Sequence, residues 1–260
     1  MKKSILVQFL VVTGVIALVS WGICVAFSLL GFSLNKDYWM YIPYMIGGLS
    51  PTIASYFVLI RNRKISGFRE WLRNVFDAKQ PVWAYLIVLL FAALYFVPPI
   101  LILGLTEMKP VYLLIVLVPM MLFGGGLEEA GWRYILQPEL DEKIGYSLSA
   151  IIVSVIWAVW HLPLFFIAGT GQQGTSFLLF SISVIGLTFA LGALRKITKS
   201  VFLCVLLHSL INACRGVFIF KDTFVSVIVM SALLVGVSVF AVTLYEQKTK
   251  KAGVHKRSTM

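Results

Sequence analysis

The chain has 260 residues, of which 60% are hydrophobic and 13% charged, and its 22 Lys and Arg outweigh 11 Asp and Glu to give a formal net charge of +11. So much apolar sequence excludes an ordinary soluble domain and describes a polytopic membrane protein. Basic charge alone would admit a nucleic-acid partner, but these cations cluster between apolar stretches, where they act as topology signals.

A hydrocarbon core about 30 Å thick requires ~20 apolar residues per helix. About eight stretches approach that length: 5–30, 39–60, 82–105, 111–137, 147–167, 177–194, 201–220 and 224–245. The expected fold is all-α, a single multi-pass domain over 1–260 in the cell membrane. The first stretch follows Met1-Lys2-Lys3 and runs on to Leu30, longer than the apolar region of a signal peptide, so it is read as a retained span. Between the second and third stretches, Phe68, Trp71, Leu72, Val75 and Phe76 recur at near-helical spacing among Arg69, Arg73 and Lys79. This predicts an amphipathic helix in the membrane interface over 61–81, either an anchor or a gate beside a substrate path. Cys24, Cys204 and Cys214 fall within spans and lack metal-ligand spacing, which argues against a disulfide framework or a zinc ribbon.

Lys2, Lys3, Arg61, Arg63, Lys64, Arg69, Arg73, Lys79, Arg133, Lys143, Arg195, Lys196, Lys199, Lys248, Lys250, Lys251, Lys256 and Arg257 all fall on one side of an eight-span arrangement. Lys36, Lys109 and Lys221 fall on the other, and Arg215 lies within a span. The bias places both termini in the cytoplasm and suggests contact with anionic lipid rather than nucleic acid.

In the fourth stretch, Gly124-Gly125-Gly126 precedes Leu127-Glu128-Glu129. Glycines here permit close helix approach or a break that admits water to the carboxylates. Glu129 and Arg133 are four residues apart, on one helical face and in the orientation that favours an ion pair. Glu128 points about 100° away, so the two glutamates have different jobs. A salt-bridge knot near the helix end is the plainer alternative.

The fifth stretch carries Trp157-Ala158-Val159-Trp160-His161-Leu162-Pro163, with a proline that loosens the backbone near the histidine. In the seventh, His208, Asn212 and Arg215 share one helical face, which points to a cavity; Asn212 as interhelical glue is the alternative, and Arg215 is equally placed to pair with Asp222 or reach headgroups. Ionisable groups inside a membrane are functional-site candidates by default. Counted at ~1.5 Å per residue, Glu128 lies ~25 Å from the outer end of its helix and His161 ~20 Å from the inner end of its own. Straight helices would separate them in depth, so a break, a tilt or a fifth helix starting beyond the membrane has to close the gap.

Glu128-Glu129-x-x-x-Arg133, then Trp157-x-x-x-His161, then His208-x-x-x-Asn212, in this order on successive apolar segments, resembles the CAAX protease and bacteriocin-processing family of intramembrane proteases. The resemblance covers about Leu122 to Gly216, within a family-like core of about 111–220. Trp157 stands where the family usually has phenylalanine. The resemblance implies an intramembrane endopeptidase with Glu128 as base toward a water, His161 holding that water, His208 and Asn212 as donors to the oxyanion, and Glu129 and Arg133 as structural support that keeps Glu128 oriented. No cofactor is expected; a zinc ion held by the two histidines and a glutamate is the alternative, although no His-Glu-x-x-His helix is present. The implied partners are the bilayer and a membrane-associated peptide or protein, in bacterial peptide maturation or bacteriocin self-immunity. Two rivals are a non-catalytic scaffold or immunity protein that binds a partner, and a proton-coupled transporter, which lacks support from a symmetric pair of broken helices.

Overall fold

The structure is a computed structural model that describes residues 4–258, with side chains described as far as Ala252. Lys2 and Lys3 lie outside the described residues, as do the side chains of Lys256 and Arg257.

Helix α1 (Ile5–Leu29) begins where the Ser4 hydroxyl accepts from the Val7 backbone N–H at 3.3 Å. It buries one narrow stripe, Phe9, Thr13, Ala17, Ser20, Trp21 and Cys24, while Val7, Val11, Val15, Leu18 and Val19 stay exposed. Outward-facing apolar side chains at helical spacing are what a lipid-facing helix requires. The second expected span is broken: α2 (Tyr41–Gly48) and α3 (Ser50–Arg61) meet at Leu49 with a bend of 44°. Pro51 in the first turn of α3 supplies no N–H to the preceding turn, which suits a helix start and favours the break. Gly47 lets α2 lie on the Trp21 ring, whose Nε1–H donates to the Tyr44 carbonyl at 3.0 Å.

The amphipathic segment forms the short helix α4 (Phe68–Val75), with Trp71 and Val75 buried. It is tied inward by Trp71 Nε1–H donating to Ser55 Oγ at 3.0 Å and by Asn74 donating to the Tyr134 hydroxyl at 2.8 Å. After it comes α5 (Val82–Leu103), followed by a two-residue strand β1 (Glu107–Met108).

The fourth segment is a chain of short helical pieces. Helix α6 (Leu114–Phe123) stops at the glycine run, a 3₁₀ turn covers Gly126–Glu128, α7 spans Glu129–Gly131, a π-helical stretch covers Trp132–Leu136, and α8 runs over Gln137–Ile144. The expected break at the glycines is present, and the segment extends further than 137. Then follow α9 (Tyr146–His161), which passes into a 3₁₀ turn at Leu162–Phe166 containing Pro163, and α10 (Phe177–Thr198).

Helix α11 (Val201–Arg215) leads to strand β2 (Phe218–Ile219), which pairs antiparallel with β1, and α12 (Phe224–Ser258) completes the described chain. Among the described residues, six helices are long and apolar enough to cross a membrane, and the bent pair raises this to seven. The all-α polytopic expectation therefore holds with fewer full spans than eight. The stretch 201–220 falls short because α11 has only 15 residues, ending where Arg215 and Gly216 give way to β2.

Close packing draws on small residues, as membrane helices without a strong hydrophobic drive require. Gly186 of α10 faces Ser231 of α12, and Ser231 Oγ donates to the Ile182 carbonyl at 2.8 Å. Gly131 sits against α3 and α1: a Cβ there would lie 2.6 Å from Pro51 Cβ, 2.7 Å from the Pro51 carbonyl oxygen and 2.9 Å from Phe9 Cε2. Gly131→Ala is expected to destabilise the protein by roughly 1–3 kcal/mol and Gly131→Val by more. Gly14→Ala, with nothing within 4 Å of the added carbon, is expected to be neutral or mildly stabilising. Thermal unfolding of the three variants in detergent checks the ranking.

Candidate active site

The site begins with the backbone of the glycine run. Gly125 has φ of 132°, in the left-handed region that favours glycine, and a Cβ there would lie 2.9 Å from His208 Nε2 and collide with Asn212 Nδ2. Two separate demands, conformation and space, thus fix the same residue as glycine. Gly126 beside it presses against Ser209 Oγ and lies where a Cβ would be 3.1 Å from the Val205 carbonyl, so the turn rides directly on α11. Thr52 on α3 secures the turn from the opposite side by donating to the Leu127 carbonyl at 2.7 Å.

This placement carries Glu129 into the interior. One carboxylate oxygen lies 3.3 Å from Arg133 Nε, and the other accepts from His208 Nδ1 at 2.9 Å. Glu129 therefore bridges Arg133 and α11. It contacts His208 directly, a link additional to the support for Glu128 that the sequence reading gives it. The Arg133 Nη atoms have no hydrogen-bond partner among the described residues, and the guanidinium lies 5.4 Å from the centroid of the Trp157 ring. Its backbone carbonyl accepts from Arg195 Nε at 2.9 Å, within the π-helical stretch.

Glu128 turns the other way. Its Oε2 accepts from Trp157 Nε1–H at 2.8 Å, a hydrogen bond that a phenylalanine at this position would lack. Trp157 also packs against both histidines, at 5.7 Å between ring centroids for His161 and 5.3 Å for His208. His161 ends α9 with Nδ1 2.8 Å from the Trp157 carbonyl, boxed by Trp160 and Phe180. A carbonyl only accepts, so Nδ1 carries the proton and Nε2 is left for another partner. Asn212 is half-buried and donates to the Gly124 carbonyl at 2.8 Å, with its second N–H uncommitted.

Exposure separates two groups of residues. Glu128 and His161 are each 8% exposed and His208 5%, whereas Glu129 and Arg133 are 0%. The broken segment and Trp157 thus gather Glu128, His161, His208 and Asn212 around one place, and the supporting pair lies behind it. Arg215 is not part of this group: its Nη2 bonds Asp222 at 2.6 Å and its guanidinium lies 4.6 Å from the Phe220 ring centroid, so the shared helical face ends at Asn212. The donor roles of Trp157 and the orienting role of Glu129 toward His208 escape sequence reading. The tryptophan in place of phenylalanine is the one signal for the former.

Among the described residues no three His, Cys, Asp or Glu side chains are grouped closely enough to hold a metal ion. Trp157 engages Glu128 Oε2 and Glu129 engages His208 Nδ1, which leaves Glu128 Oε1 and His208 Nε2 open. The arrangement provides a carboxylate, two imidazole Nε2 atoms and an amide N–H, the set that water activation and oxyanion stabilisation require.

Comparison with known proteins supports the same region. A family model described as Type II CAAX prenyl endopeptidase Rce1-like matches residues 110–214. The CAAX prenyl protease 2 of Methanococcus maripaludis is 28% identical over 102 residues, which are 36% of this chain and 37% of that protein. The chain thus aligns with little more than a third of its relative's length. The matched region contains Glu128, Glu129, Arg133, Trp157, His161, His208 and Asn212, and over this core the chain is similar to the Type II CAAX prenyl endopeptidase Rce1-like family.

Proposed function

We propose that the chain is an intramembrane endopeptidase of the cell membrane that hydrolyses a membrane-associated peptide or protein with a water activated by Glu128. The observation that carries this reading is the nearly buried Glu128 carboxylate, held by Trp157 beside two histidines whose Nδ1 atoms are already committed. With Oε2 engaged, Oε1 takes the proton from water, and the lone pair of His161 Nε2 holds that water. The hydroxide adds to the scissile carbonyl carbon. As the carbonyl oxygen becomes an oxyanion, Asn212 donates its second N–H, and His208, as an imidazolium held by Glu129, donates from Nε2. Glu128 then passes its proton to the amine as the C–N bond breaks. No metal enters these steps. We place the role in peptide maturation or bacteriocin self-immunity.

Glu128→Gln is expected to reduce proteolysis by ~10²–10⁴ at normal abundance. Comparison of peptide ends in membranes from cells expressing wild type or variant reads this directly. An unchanged set of fragments with an unchanged phenotype would favour a non-catalytic scaffold. Glu129→Gln is expected to fail differently, with a stability loss of roughly 3–5 kcal/mol from leaving Arg133 buried and unpaired, seen as lower abundance and a lower melting temperature. Trp157→Phe retains the ring and is expected to stay folded with activity within about tenfold of wild type, the loss falling on kcat, because one charge-assisted hydrogen bond is removed.

The reading also places the basic ends and both termini in the cytoplasm. Cys24, Cys204 and Cys214 are all buried, so a single introduced cysteine reports its own side. In intact cells, Lys109→Cys is expected to react with an impermeant thiol reagent and Lys143→Cys to be protected; the reverse pattern inverts the topology.

A further inference from the structure

At the basic end of the bundle lies a cavity of about 920 Å³ between α4, the turn 77–80, the end of α10 and the start of α11. None of Glu128, His161, His208 or Asn212 lines it. Arg73, Lys79, Arg195 and Lys199 do, against the single carboxylate of Asp77. Among the described residues none of these four cations has an acidic partner within ion-pair distance. Nearby acids are already in use, including Asp141, which lies within electrostatic reach of Arg195 and Lys199 and accepts a hydrogen bond from Ser149 Oγ. Glu246 pairs with Lys196 at 2.7 Å, and Asp77 accepts from the Lys79 backbone N–H and the Gln80 amide within its own turn. Arg195 is fixed by its Nε bond to the Arg133 carbonyl at 2.9 Å, and Lys199 Nζ lies 5.5 Å from the Tyr245 ring centroid.

Four cations converging on one concave space repel one another, and an anion relieves that repulsion. The first backbone N–H groups of α11 at Val201 border the same space and add to the positive field. The rim is apolar, with Leu72 and Phe76 on α4 and its following residue, and Phe76 is 36% exposed. We propose that this cavity binds a phosphate-bearing anion. Its position at the basic interface and its apolar rim suit the headgroup of an anionic phospholipid whose chain runs along Phe76, while the cations alone would also accept inorganic phosphate. This site stands independently of the protease reading.

The test uses the full chain, purified and stripped of lipid. Native mass spectrometry with added phosphatidylglycerol or phosphatidylcholine measures lipid binding, and calorimetry with inorganic phosphate measures the free ion. Wild type is expected to prefer phosphatidylglycerol by about tenfold or more, and Arg73→Gln with Lys79→Gln to lose about fivefold per cation removed. A second variant, Lys64→Gln with Lys143→Gln, removes the same charge from exposed positions outside the cavity and is expected to change binding less than about twofold. Arg73 and Lys79 are exposed, so folding should survive; Lys79→Gln alone makes the same comparison if the double variant aggregates. Sensitivity to Arg73 and Lys79 in the lipid arm alone assigns a headgroup, and in the phosphate arm a free ion. Equal losses in both double variants, or no binding of either probe, would overturn the proposal.

Discussion

A carboxylate removed from water must find cations, and Glu129 is removed entirely. Its two oxygens are divided between Arg133, four residues along its own segment, and His208 on α11. An uncompensated buried charge costs several kcal/mol, so this division fixes the rotation of the fourth segment against α11. Glu128 follows as a neighbour in sequence. Once Glu129 faces α11, the adjacent side chain is directed toward α9, where the Trp157 N–H meets it. The position of the proposed base is thus a consequence of satisfying the other glutamate.

The backbone makes this possible by giving up regular helix. The glycine run ends α6, and the chain passes through a 3₁₀ turn, one α-helical turn and a π-helical stretch before α8 restores regularity. Irregular backbone at membrane depth needs partners from neighbouring elements. Thr52 serves the Leu127 carbonyl, Asn212 that of Gly124 and Arg195 that of Arg133. Each comes from a different helix, so α3, α10 and α11 hold the break open together. A π-helical insertion beside functional side chains is a common use of this geometry.

The apolar runs announced the helices, because a membrane imposes length and composition on whatever crosses it. The glycines announced the break, and the spacing of Glu129 and Arg133 their pairing. The split of the second span was less visible, since Ser50-Pro51-Thr52 reads as polar and proline content within one apolar run and only packing turns it into a bend of 44°. Helical spacing put Arg215 on the face of His208 and Asn212, but the chain reversal at Gly216 brought Asp222 within reach and took it away. The link from Glu129 to His208 joins residues 79 apart. No local pattern encodes such a contact.

Helix α11 has 15 residues, a rise of ~22 Å against a hydrocarbon thickness of ~30 Å. A lone helix of that length would thin the surrounding bilayer or draw headgroups inward. This one is enclosed by α5, α6 and α10, so lipid does not meet the shortfall. The mismatch is absorbed within the protein instead: at the basic end it adjoins the cationic cavity at Ser200 and Val201, and at the other end the β1–β2 ribbon folds over it. The helix that carries His208 and Asn212 is therefore shorter than a hydrocarbon core is thick, with a cationic cavity at its start and a strand following its end.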